Sequence, residues 1–321
     1  MSATISTSTA ASGRVAASAP APSYLGILRG ELLKIARMRL VWLMTLLFAG
    51  VNFAPYLFYL ATPGVKNGLQ NQPATLLFAE MGRALLVVRV FGGIYILMLT
   101  ALLVGIEYQN GTIRVLLARG VGRLHLLSAK LLALAVVALG LIIGGVLLNA
   151  LLFVGTVLAL VHNLSVMSAL TGALWNQAWL YALTVAISMG TSILLAAAAT
   201  VLGRSLAFGL GIAIAWFPVD NLSTILLLLA NRFTNNDFWL KISAYLLGPN
   251  LNAMAGVVVP ARALTIHGEK GVQTVTQPAA TLGIQPFVPV DGTHTLVVTL
   301  IYALIFAVVA AVIMWRRDVL E

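Results

Sequence analysis

The chain contains no cysteine. That excludes disulfides, thiolate metal sites and thiol nucleophiles, and it leaves the redox compartment open, since a cysteine-free chain suits either. Charge is also scarce. Only 9% of the 321 residues are Asp, Glu, Lys or Arg, and nine of them are acidic. A soluble domain carries about 25%, so this chain does not have the surface of one. Its four histidines are scattered, and His267 and His294 are too isolated to argue a metal site. No glycine-rich run ending in Gly-Lys-Ser/Thr is present to cradle phosphates; Gly64-Val65-Lys66 and Glu269-Lys270-Gly271 do not match. No HExxH, Gly-x-Ser-x-Gly or paired-glutamate constellation supports an intramembrane enzyme. The chain is expected to hydrolyse nothing by itself and to hold no cofactor of its own.

What is abundant is apolar residue. The hydrophobic share is 60% and the mean hydropathy +1.00, with continuous Leu/Ala/Val runs too long for a soluble core. Barrel strands would alternate instead. The chain therefore reads as an all-α polytopic membrane protein. The net charge of +10 does not indicate nucleic acid. The basic residues form no patch with interleaved aromatics and instead flank the apolar runs, as membrane topology demands.

In order, residues 1–23 are Ser/Thr/Ala/Pro-rich and read as a disordered tail, followed by one transmembrane domain over 24–321. Tyr24 to Leu40 has Leu25, Leu28, Leu32, Ile35 and Ala36 at helical spacing, with Arg29, Lys34, Arg37 and Arg39 between them. That pattern predicts an N-terminal interfacial helix. Six spans follow at about 41–61, 84–106, 129–161, 178–202, 206–230 and 295–315, with a large external segment at 231–294. A loop is expected from Thr62 to Pro73, and Gly140 and Gly144 are expected to let another helix approach the third span. With both termini inside, twelve basic residues fall on the cytoplasmic side against seven outside.

The stretch from Glu107 to Lys130 is then a cytoplasmic loop between the second and third spans. Gly111 breaks the helix, Thr112 is placed to cap a new one, Ile113 to Ala118 form it and Gly120 ends it. Val115, Leu116 and Leu117 are free to bury in a groove, with Arg114 and Arg119 on the water side. Glu107 has Lys130 or Arg114 as pairing candidates, either holding the loop to the bundle or gating the inner mouth.

The run Glu107-x-x-x-Gly111-Thr112-x-Arg114-x-Leu116-Leu117, followed by Arg123 and Lys130, resembles the signature of type 2 (ABC-2) exporter permeases. The six-span layout, the basic entry helix and the external segment before the last span are similar too. Many members have Pro where this chain has Gly120 or Val121. The resemblance implies that the helix between spans two and three is a coupling helix, using Gly111, Thr112, Arg114, Leu116, Leu117, Arg119 and Arg123 to dock on an ATP-binding cassette ATPase subunit. It also implies that ATP and magnesium bind on that partner, and that two permease chains, identical or similar, pair in the plasma (inner) membrane. The cargo is not implied, since fold does not fix the ligand.

Two charges lie inside spans, and such residues are functional candidates by default. Arg89 and Asp220 fall at similar heights, roughly 27 and 22 Å above the cytoplasmic ends of their helices, and are expected to form an ion pair or to face water separately. Pro218 and Asn221 interrupt the same helix as Asp220, and Asn52, Pro55 and Asn149 are candidates for the pathway lining or for helix packing. In the external segment, Phe238 to Val259 is expected to be a helical hairpin broken at Gly248-Pro249-Asn250, and Arg262 to His294 to hold a small β-hairpin. Rival readings are an ion-coupled secondary transporter using Arg89 and Asp220, and a non-transporting immunity or sensing scaffold.

Overall fold

The computed structural model describes residues 23–113, 115, 120–268, 271–277 and 279–316. The chain opens with α1, Tyr24–Arg37, whose first turn is capped by the Ser23 hydroxyl accepting from the Gly26 amide at 3.2 Å. Met38 is extended, and the chain turns there into α2, Arg39–Ala61. The expected loop after α2 is instead a short helix, α3, Pro63–Asn71, followed by α4, Pro73–Gln109. Proline stands at the start of both. It is tolerated there because the first helical N–H has no intrahelical partner to lose.

Beyond the loop, α5 runs Arg123–Val161 and ends where His162 adopts φ 61°. A 3-10 turn, Ser165–Ala169, leads to α6, Gly172–Gly203, and a tight turn at Arg204 and Ser205 to α7, Leu206–Thr234. Residues 231–294 contribute α8, Phe238–Ser243, and α9, Leu247–Val258. Strands β1, Arg262–Gly268, and β2, Gly271–Gln277, pair antiparallel from Arg262↔Gln277 to Gly268↔Gly271. The last helix, α10, is Gly292–Arg316.

Six of these helices, α2, α4, α5, α6, α7 and α10, are long and apolar enough to cross a membrane. They are not equivalent. The most apolar stretches of α4 and α6 are each 72% buried, against 11% for α7 and 17% for α10. So α4 and α6 are the axis of the bundle, and α7 and α10 present apolar side chains outward. Close approach is set by small residues: a Cβ on Gly105 of α4 would lie 2.7 Å from the Leu206 Cα. On α5 the packed glycine is Gly145, whose Cβ would meet Val88 at 2.6 Å, while Gly140 and Gly144 have open space beside them. The expected approach at Gly140 and Gly144 is therefore not made within this chain.

The break in the external hairpin also differs from expectation. Gly248, Pro249 and Asn250 do not interrupt a helix; they are the first turn of α9, with Leu246 as its extended cap residue. Proline fits a first turn, so the break falls between Ala244 and Leu246.

Candidate functional site

Polar side chains inside this apolar bundle gather in three places. The innermost surrounds the loop between α4 and α5. Glu31 and Lys34 share one face of α1, three residues apart; Glu107 stands in the last turn of α4 and Lys130 at the start of the third turn of α5. The Lys130 ammonium donates to Glu31 at 2.9 Å and to Glu107 at 2.7 Å. Lys34 reaches the same two carboxylates, at 3.0 and 2.5 Å. Glu31, Glu107 and Lys130 are 4%, 4% and 3% exposed. Buried charges cost several kcal/mol each unless paired, and here each cation touches both anions and the quartet is neutral. Burial pulls the Lys34 ammonium down, but the Glu107 and Glu31 carboxylates outweigh it and leave its pKa above the ordinary lysine value. Glu107 is not evenly used. Its Oε1 takes both lysines, while its Oε2 is buried without a partner.

The loop itself begins beside a cavity of about 400 Å³ lined by Lys34, Met38, Leu103, Glu107, Thr112 and Val115. Gly111 and Gly120 take φ +65° and +82°, a region that favours glycine. Thr112 is already helical, so the cap position falls on Gly111 rather than on Thr112. Arg114, Leu116, Leu117 and Arg119 lie outside the described residues. Arg123 opens α5 and donates to the Trp315 carbonyl at 3.2 Å, tying the loop's far end to the end of α10. Ile113 was not singled out from sequence, yet it is 2% exposed and packs with Val104, Val121, Leu126 and Met314.

A second group joins α2, α4 and α5. The Asn149 amide donates to Asn52 Oδ1 at 2.7 Å, and the Tyr56 hydroxyl donates to Glu80 at 2.5 Å and to Asn149 Oδ1 at 3.0 Å. Glu80 also accepts from Arg83, whose guanidinium lies 4.7 Å from the centre of the Tyr56 ring. Asn52 is fully buried and its bond from Asn149 joins α2 to α5. Beside this group runs an apolar groove of about 390 Å³ bounded by Ala150, Phe153, Trp175, Trp179 and Ala182.

The third group seats α9. Arg89 and Asp220 are buried, as expected of intramembrane charges, but they do not bond each other. Arg89 of α4 donates to the Leu251 carbonyl at 2.5 Å, to Asn252 Oδ1 at 3.3 Å and to the Leu282 carbonyl at 3.2 Å. Asp220 of α7 accepts from the Gly248 amide. The expected ion pair is thus replaced by two contacts on one helix. The physical reason is that α9 offers its free N-terminal amides to the acid and carbonyls to the cation. α7 continues as a helix through Pro218, which is exposed, and the Asn221 carbonyl oxygen is buried without a partner. Further bonds hold the same segment: Tyr181 donates to the Ala280 carbonyl at 2.5 Å, and Asn252 to the Ile284 carbonyl at 2.9 Å.

Sequence reasoning missed Glu31, Glu80 and Asn252. For Glu31 a signal existed: it is the only acid in the otherwise basic stretch 24–40 and stands three residues before Lys34. Glu80 lies outside the expected second span of 84–106, so nothing marked it as buried, and the partner of Asn252 depends on a fold of residues 231–294 that no local pattern specifies.

Among the described residues no group of three or more His, Cys, Asp or Glu side chains is placed to hold a metal ion. Comparison with known proteins adds one positive finding. The family described as ABC-2 family transporter protein matches residues 27–220. A search of curated proteins found no match. The matched region runs from α1 into α7 and contains all four charges of the inner quartet, both buried charges that seat α9, and the loop between α4 and α5. With six membrane-length helices around that loop, the match settles the class: the chain belongs to the ABC-2 family of transporter proteins.

Proposed function

We propose that the chain is the permease subunit of an ATP-driven exporter, with ATP and magnesium bound and hydrolysed on a separate ATP-binding cassette subunit. Two permease chains, identical or similar, would pair through outward apolar faces such as that of α7. The site would be the plasma membrane, with both termini cytoplasmic, as the basic-residue bias supports.

The observation that carries this reading is the anchoring of the 110–122 loop. Glu107 stands in the last turn of α4 before the loop, and Lys130 lies about two turns into α5 after it; the two are bonded at 2.7 Å. Glu31 and Lys34 lock α1 onto the same point. Ile113 is buried in the bundle between these ends. A force applied to this loop passes directly into α4, one of the two most buried spans, and into α1. That is the linkage a coupling helix needs. Gly111, Thr112, Arg114, Leu116, Leu117, Arg119 and Arg123 would form the docking face.

Arg114→Glu and Leu117→Asp test this. Each is expected to abolish transport and ATPase stimulation, and to lose the ATPase subunit on copurification, while the permease stays in the membrane. Normal recovery of the ATPase subunit on either variant would sink the docking role. Transport that persists without the ATPase, driven by a proton gradient, would replace the reading with an ion-coupled one.

A further inference from the structure

We infer that the apolar groove between α4, α5 and α6 is a binding site for one acyl chain of a membrane phospholipid, whose ester and phosphate oxygens accept from the indoles of Trp175 and Trp179. The inference rests on the chain spanning a membrane and not on the exporter reading.

The groove follows three spans over matching lengths. Its walls extend from Leu77 to Leu85 on α4, from Val146 to Val154 on α5 and from Leu174 to Ala182 on α6. Each stretch is about 12 Å of helix at the ordinary rise. Met167 and Leu170 close the end nearest the connection between α5 and α6, which is the end of the bundle away from the 110–122 loop. The hydrocarbon of one leaflet is about 15 Å deep. A groove that starts in the first turn of α6 and descends about 12 Å follows the path of an acyl chain through most of that leaflet.

The side chains on its walls explain why space is left there. Ala84, Ala150, Ala178 and Ala182 line it with single methyl groups. The polar side chains that reach it, Tyr56, Glu80 and Asn149, direct their polar atoms at one another and at Arg83. A space walled this way offers water too few partners to hold it. Its volume of about 390 Å³ takes roughly a dozen methylene-sized groups at ~30 Å³ each, the share of a water molecule in the liquid. A helix does not fit: 12 Å of one, about 10 Å across, fills roughly 900 Å³.

The mouth of the groove supplies the complementary chemistry. Although α6 is one of the two most buried spans, its Trp175 and Trp179 are 61% and 68% exposed. They stand one turn apart in the first two turns of the helix. Val146 and Ala150 are exposed on the facing wall, so the groove opens to the bilayer and not to the interior of the bundle. Among the described residues neither indole N–H has a protein acceptor. Indoles favour the headgroup boundary, where the ring lies in hydrocarbon and the N–H reaches a polar acceptor. The ester and phosphate oxygens of a phospholipid sit at that level, directly above the chain the groove holds.

The test uses the full chain in nanodiscs that contain a trace of phosphatidylglycerol with a photoreactive diazirine in one acyl chain. Exposed positions of α10 such as Leu300 and Leu304 report ordinary lipid contact. Labelling of residues 146–154 and 174–182 is expected to exceed that of α10 by about fivefold or more. When irradiation follows exchange into detergent, the groove label should persist and the α10 label disappear. Ala178→Phe fills the groove and should abolish its labelling while α10 is labelled as before. Trp175→Phe with Trp179→Phe, at two exposed positions, should cut retention in detergent by about fivefold or more, the effect of two lost hydrogen bonds. Equal labelling of groove and α10, or loss of both in detergent, overturns the site and leaves a surface wetted by ordinary lipid. Unchanged retention in the double tryptophan variant overturns the role of the indoles. An unlabelled groove overturns the inference outright, and a covalent dimer formed by Trp179→Cys in this cysteine-free chain would then identify a second copy as the occupant.

Discussion

The inner quartet and the α9 seat both bury charge in a bundle that has very little, but they do it in opposite ways. At the inner end, four charges from α1, α4 and α5 satisfy one another, and removing any one leaves an opposite charge stranded. At the other end, one cation and one anion each bind the backbone of a separate helix rather than an opposite charge. The first arrangement ties the ends of three elements into one body. The second ties a short helix to two spans, α4 and α7. What differs is what meets the buried charge: an opposite charge in the first, backbone groups in the second.

The largest expected effect tests the rigid end. Lys130→Met leaves Glu31 and Glu107 buried with only the half-exposed Lys34 between them. Breaking a buried ionic network by removing one partner costs about 3–5 kcal/mol. The variant should show a sharply lowered thermal midpoint and loss of monodisperse protein in detergent. A sharper version replaces the whole quartet: Glu31→Leu, Lys34→Met, Glu107→Leu and Lys130→Met together. Substituting a complete buried ionic group by apolar residues is often neutral or stabilising, so stability should return. If ATPase stimulation then stays lost, the charges serve transmission and not only folding. If it returns, any rigid packing at this point suffices.

A smaller effect is expected at the outer end. Arg89→Gln and Asp220→Asn each remove hydrogen bonds to a part of the chain outside the bundle's axis. Their loss should lower the global thermal midpoint far less than Lys130→Met does. A global loss as large as that of Lys130→Met would erase the distinction between the two ends.

How much of this was legible in the sequence follows from the range of each interaction. The six membrane-length helices were legible because each is a property of one continuous run. The family was legible because Glu107, Gly111, Thr112 and the basic residues that carry the resemblance lie close together in sequence. The partners of buried charges were not. Arg89 and Asp220 invited pairing by depth alone, and depth says nothing about a helix inserted between them. The start of α9 was misplaced because Gly-Pro-Asn reads as a break, whereas the same residues fit a first helical turn, where missing and unpaired amides do no harm. Glu31 was passed over because the basic residues around it dominated the pattern. Its distant partner, Lys130, is 99 positions away.

The smallest expected effect separates the two lysines of the quartet. Lys34 makes the shortest contact in the group, at 2.5 Å to Glu107, yet its side chain is 38% exposed where that of Lys130 is 3% exposed. Solvent already screens this ammonium in part, and Lys130 still bridges Glu31 and Glu107 after its removal, so Lys34→Met should cost less than Lys130→Met. Its contribution also has a definite pH dependence. Burial lowers the Lys34 pKa, but Glu107 and Glu31 raise it more, so the folded value lies above the ordinary 10.5. The stabilisation is then fully present below about 10.5 and is lost as pH rises through the folded value. Thermal midpoints of the wild type and Lys34→Met should therefore differ slightly at neutral pH and converge in strong alkali. A Lys34→Met loss equal to that of Lys130→Met would mean that contact length, rather than burial, governs the quartet, and the rigid end would have to be rebuilt around α1.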